Sequence, residues 1–110
     1  MANTFKNAAL KDVSNTSYDT LYTAPGATTT VILAVSLANK TGNAVDTYVQ
    51  FSDSSTANTH QVLNSVSIPG KTTLEILAGQ KYILETGDAI KIKAGSASAI
   101  DVVAGVMEIT

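Results

Sequence analysis

The chain has 110 residues, 45% of them hydrophobic and 15% charged, with a net charge of −2 and no cysteine. That length suits one domain with one core, and so large a hydrophobic share separates it from disordered chains. All seven basic residues are lysines (Lys6, Lys11, Lys40, Lys71, Lys81, Lys91, Lys93), scattered and without an arginine fork among them, which argues against nucleic acid as a partner. The lack of cysteine removes disulfides, thiolate metal sites and a cysteine nucleophile together.

Residues 1–17 read as an extended N-terminal arm, anchored by Phe5 and Leu10 and lacking the apolar run of a signal peptide. The longest apolar stretch, Val31–Ala38, is too short to span a bilayer, so the expectation is a soluble protein made in the cytoplasm, with no membrane partner. Tyr18–Thr23 alternates and stops at Ala24-Pro25-Gly26, a turn signal. Thr28–Ala38 is the strongest strand: Val31, Leu33, Val35 and Leu37 line one face, with Thr30, Ile32, Ala34 and Ser36 on the other. After a hairpin loop at 39–43, Val45–Phe51 sets Val45, Thr47, Val49 and Phe51 against Asp46, Tyr48 and Gln50. Residues 52–59 form the longest polar stretch and read as a mobile loop. His60–Ile68 follows, with Val62, Asn64, Val66 and Ile68 on one face.

Ile68–Lys93 reads as a three-strand meander, punctuated by Pro69-Gly70, Gly79-Gln80 and Thr86-Gly87-Asp88. Ile100–Ile109 closes the chain with Val102, Ala104 and Val106 on one face and Val103, Met107 and Ile109 on the other. Ser and Thr number 25 and helix signals are poor, so the expected fold is all-β. Eight or nine short strands with frequent turns predict a single antiparallel β-sandwich, or a jelly-roll or Ig-like barrel, over residues 1–110. The strands carry more apolar positions than one small core buries. Ile32, Tyr48, Val103 and Met107 are therefore expected to form an interface in a homo-oligomer.

Catalytic chemistry finds little support. His60 is the only histidine; Asp53 and Ser52, Ser54 or Ser55 lie near it, but a triad is defined by geometry and no nucleophile elbow is present. One histidine and no cysteine leave too few ligands for zinc, and Asp53 alone is too few for calcium at 52–59. Asp46, Asp53, Glu75, Glu85, Asp88 and Asp101 mostly fall in turns or at exposed alternating positions, and Asp88 reads as a turn-bonding residue. Residues 69–73 imitate the tail of a phosphate loop without its upstream glycine or its helix. Asn15-Thr16-Ser17 and Asn39-Lys40-Thr41 match the glycosylation sequon by chance. The expectation is a protein that is not an enzyme, with no catalytic residues, no metal and no cofactor.

Five pieces follow one another in order: 21–25 (Leu-Tyr-Thr-Ala-Pro), 30–39, 68–74 (Ile-Pro-Gly-Lys-Thr-Thr-Leu), 84–90 (Leu-Glu-Thr-Gly-Asp-Ala-Ile) and 102–109. Their succession over residues 20–110 resembles a family of small structural proteins of tailed bacteriophages, including those of cyanobacteria. The resemblance implies a non-enzymatic virion β-sandwich present in many copies, with no family catalytic residues to carry over. It favours a capsid decoration protein, trimeric or another small oligomer, partnered by itself and by the major capsid protein. A neck or tail component is the alternative, and a carbohydrate- or surface-binding module is a further one. Sugar binding would have to use Tyr18, Tyr22, Tyr48, Tyr82, Phe5 and Phe51, since there is no tryptophan.

Overall fold

The computed structural model describes residues 3–77 and 80–110, which form nine strands: β1 (Asn3–Leu10), β2 (Asp19–Thr23), β3 (Thr29–Asn39), β4 (Val45–Asp53), β5 (Asn58–Ile68), β6 (Thr73–Glu75), β7 (Tyr82–Leu84), β8 (Ala89–Ala94) and β9 (Ile100–Ile109). All pairings are antiparallel. The first sheet runs β1-β9-β3, and β6 and β7 both pair along the far edge of β3; the second runs β2-β8-β4-β5. The sheets pack face to face as a β-sandwich. Among the described residues no helix is long and apolar enough to cross a membrane.

The core follows from the alternation. Val102, Ala104 and Val106 of β9 point inward, as do Ile90 and Ile92 of β8 and Val45 and Val49 of β4. Each strand offers one apolar face, and stacking the two faces removes both from water. The turns are bonded by side chains. Asn39, buried, donates its amide to the carbonyls of Asn43 (2.8 Å) and Ile68 (2.9 Å), while its Oδ1 accepts from Thr41 N (2.9 Å). That amide is thus committed to folding the loop after β3, which leaves the sequon at 39–41 without an accessible acceptor. Asp88, also buried, accepts from Ser54 N (3.0 Å) and Glu85 N (3.0 Å), so the turn role expected of it is present.

Several expectations are corrected. β3 does not alternate regularly: Ile32 pairs with Val106 and Ala34 with Gly105, so Leu33 is an extra residue in a β-bulge. The bulge swaps the faces. Thr30 and Ile32 point inward before it, and Val35 and Leu37 do so after it. Ile32 is consequently 1% exposed and belongs to the core, not to an interface. A second irregularity in β5 moves Val66 opposite Thr47 and Leu63 opposite Val49, with Ser65 at φ 58°, which breaks the expected face of Val62, Asn64 and Val66.

The stretch 68–93 is not a meander. β6 and β7 pair with β3 rather than with each other, and β8 crosses to the second sheet between β2 and β4. The expected turn at Gly79-Gln80 includes Gly79, which lies outside the described residues. Residues 3–10 are extended, but they are a paired strand along β9 rather than an arm. Phe5 is 72% exposed, so of the two expected anchors only Leu10 packs on the core. The polar stretch 52–59 contracts to a turn at 54–57 between β4 and β5.

Candidate assembly interface

Register places the outward side chains of the first sheet in rows. Phe5 on β1 lies opposite Met107 on β9, Met107 opposite Val31 on β3, and Val31 opposite Ile83 on β7. Four strands thus contribute one uninterrupted apolar row, roughly 14 Å from end to end at the usual strand spacing. The neighbouring row is Asn7, Gly105 and Ala34, and the next is Ala9, Val103, Ser36 and Glu75. A side chain built at Gly105 would meet nothing within 4 Å, so there is open space in the middle of this face beside the apolar row. Phe5 (72% exposed), Val103 (57%) and Ile83 (54%), the exposed large hydrophobics among the described residues, all stand on this face.

The outer face of the second sheet has the opposite character. Lys93 sets its ammonium 4.7 Å from the ring centre of Tyr48 and 5.3 Å from that of Tyr18. Gln50 donates to Gln61 (2.8 Å), and Gln61 donates to the Tyr18 hydroxyl (3.2 Å). Of the four residues expected at an interface, Val103 and Met107 therefore share the apolar face, while Tyr48 sits on the other sheet and Ile32 is internal. Phe5, Val31, Ile83 and Gly105 were not legible as members. Tyr82-Ile83-Leu84 is apolar throughout, so only the pairing of β7 with β3 shows that Ile83 is the residue facing out.

Beside β7 the two sheets leave a cleft of about 370 Å³, lined by Phe51, His60, Val62, Lys81, Tyr82 and Ile83. Phe51 and His60 are cross-strand partners whose rings stack at 6.1 Å and 25°. This cleft and β1 lie on opposite sides of the sandwich, because β7 and β1 occupy opposite edges of the first sheet.

The groups considered for catalysis point to other partners. Asp53 accepts from the backbone and hydroxyl of Ser55, and the Ser54 hydroxyl donates to the carbonyl of Thr86, while His60 lies against Phe51. Asp46 accepts from Ser65, and Glu75 from Val35 N and the Ser36 hydroxyl. Asp101 receives Asp12 N at 2.9 Å and Lys40 at 3.0 Å; Lys40 also pairs with Asp12, and these contacts hold the Asp101 carboxyl below its usual range. Among the described residues no three acidic or imidazole groups converge on a metal-sized space.

One buried polar cluster escaped the sequence. Glu108 accepts from the Tyr22 hydroxyl (2.5 Å) and pairs with Lys6 (3.0 Å), and the same hydroxyl lies 2.8 Å from the Thr30 hydroxyl. Burial first, then the bond to Glu108, pushes the Tyr22 phenol up to about 12, and the bond from Tyr22 with the Lys6 charge lowers the Glu108 carboxyl. The cluster ties β1, β2, β3 and β9 together across the two sheets.

No family model matches this chain, and no curated protein matches it. Among solved structures, a Bacillus protein described under "Bacillus endospore appendages form a novel family of disulfide-linked pili" is similar, with a TM-score of 0.58 at 9% identity. The match covers 98% of this chain and 88% of that one. It supports the sandwich architecture of the described residues.

Proposed function

We propose that this chain is a non-enzymatic structural subunit that works by binding copies of itself. The observation that carries the reading is the apolar row of Phe5, Met107, Val31 and Ile83 on the outside of a sheet. An isolated exposed leucine or valine is ordinary on a soluble domain, whereas several large apolar groups aligned across four strands mark a partner surface. A catalytic reading has no comparable constellation to rest on. Likeness to an appendage subunit is in keeping with assembly, but this chain has no cysteine, so its copies must associate without disulfides.

The resemblance over residues 20–110 points to the virion of a tailed bacteriophage as the place of assembly. Capsid decoration next to the major capsid protein is the first choice, and neck or tail the second. A glycan-binding reading has one observation in its favour, the Tyr18 and Tyr48 rings on the second sheet. It ranks below, because the Lys93 ammonium already covers both rings.

The test is light scattering over a concentration series, with Gly105→Lys as the probe. The open space at Gly105 lets the variant fold, while the added charge sits in the middle of the apolar face. We expect wild type to associate and the variant to associate about tenfold or more weakly, the scale of one unpaired charge in an apolar contact. A wild-type protein that stays monomeric at high concentration would overturn the reading. Pull-down by purified capsids against tails then decides the virion location, and a glycan screen addresses the second reading.

A further inference from the structure

The outward face of the first sheet that carries the apolar row is small. Its rows from Val103 to Ile109 and from β1 to β7 cover roughly 14 Å by 20 Å, about 300 Å² by strand spacing and rise, against about 800 Å² per partner in a stable interface. A face of that size needs a deeper anchor, and the molecule carries both halves of one. Phe5, the most exposed large apolar side chain described, projects from β1 at one edge of the sheet. The cleft lined by Phe51, His60, Val62, Lys81, Tyr82 and Ile83 opens beside β7 at the other edge.

From this juxtaposition we infer that the cleft receives the Phe5 side chain of a second copy, so that subunits join head to tail, edge to opposite edge. The inference rests on the self-associating reading above and specifies its geometry. Size agrees, since this cleft, open to solvent on one side, measures about 370 Å³ and has room for a phenyl ring. Chemistry agrees as well: an entering phenyl ring meets the Phe51–His60 stack, the Tyr82 ring and Val62, with Ile83 and the Lys81 stem at the edge of the cleft. Phe5 cannot fill the cleft of its own chain, because the whole first sheet lies between them. Every copy therefore has one knob and one hole left over. Such heterologous contact propagates into a ring when the rotation closes and into a filament when it does not.

Two variants at exposed positions separate the halves. Phe5→Asp removes the knob and leaves the cleft, and His60→Glu places a charge on the cleft wall without touching the apolar face. Each alone should lose association by about thirtyfold or more, the effect of a central aromatic anchor. Mixed in equal amounts, they should form a 1:1 dimer and nothing larger, because only one intact knob meets one intact hole. Phe5→Ser with Lys81→Glu is the second pair, and circular dichroism confirms folding of each. If wild type associates while His60→Glu and Lys81→Glu associate equally well, or if the folded mixtures stay monomeric, the knob-and-cleft inference is overturned and the self-associating reading survives. If wild type does not associate at all, both fall.

Discussion

Glu108 shows how much a single charged position on an inward-facing parity conceals. On β9 it follows Val102, Ala104 and Val106 on the inward face, and it is buried there because Tyr22, Thr30 and Lys6 reach it from three other strands. The ionisation of this cluster has a definite consequence for pH. The Tyr22 phenol is raised from 10.0 to about 12, so its proton is held more tightly in the folded chain. Above the ordinary phenol range the unfolded chain releases that proton first, so stability complete below pH 10 is lost as pH climbs from 10 to about 12. Glu108 acts in the opposite direction. Its lowered carboxyl gives stability present above the ordinary carboxylate range and lost as acid titrates the folded group. Tyr22→Phe should cost about 1 kcal/mol at neutral pH through the lost hydrogen bonds. Urea titrations between pH 9 and 12 should also show a smaller alkaline loss in the variant than in wild type. Equal losses in the two proteins would place the alkaline sensitivity elsewhere.

At the scale of elements, irregularities decide what alternation cannot. The bulge at Leu33 turns β3 over midway, so that one strand presents Ile32 and then Val35 and Leu37 to the core. A period-two reading assigns the two halves of such a strand to a common face, and for Ile32 it therefore assigns the wrong one. Loops show a comparable dependence on distant partners. The turn at Pro69-Gly70 fits against the loop after β3 so closely that a side chain at Gly70 would lie 2.5 Å from the backbone of Gly42. Neither backbone segment has a flexible end that can give way. Gly70→Ala should therefore destabilise the fold by about 1–3 kcal/mol, the usual cost of overpacking, measured as a lower denaturation midpoint with an unchanged m-value. Gly105→Ala, where space is open, should change the midpoint little and serves as the control.

For the whole molecule, the contrast between the two outer faces matters most. The second sheet covers itself with lysine, tyrosine and glutamine side chains that bond to one another, whereas the first exposes Phe5, Ile83 and Val103. Association through the first sheet and the cleft is apolar, and salt screens charge without weakening apolar contact. Raising salt from about 0.05 M to about 1 M, which shortens the screening length severalfold, should leave association unchanged or strengthen it. A steep loss with salt would point instead to the lysine-bearing second sheet as the contact.

The sequence by itself determined the class of this fold and most of its strands. Val102, Ala104 and Val106, Ile90 and Ile92, and Val45 and Val49 alternate because each strand must turn one apolar face from water, and that demand is local. The turn role of Asp88 was legible for the same reason, since Asp bonds backbone groups within its own turn. Tertiary structure alone decided which strands neighbour one another, where β3 and β5 bulge, and which apolar residues remain outside. Phe5, Val31, Met107 and Ile83 are far apart in the chain, and they become one surface only through the pairing of β1 with β9, β9 with β3 and β3 with β7. Alternation defines the two sides of a strand, but register and partner come from the packing of the whole sandwich.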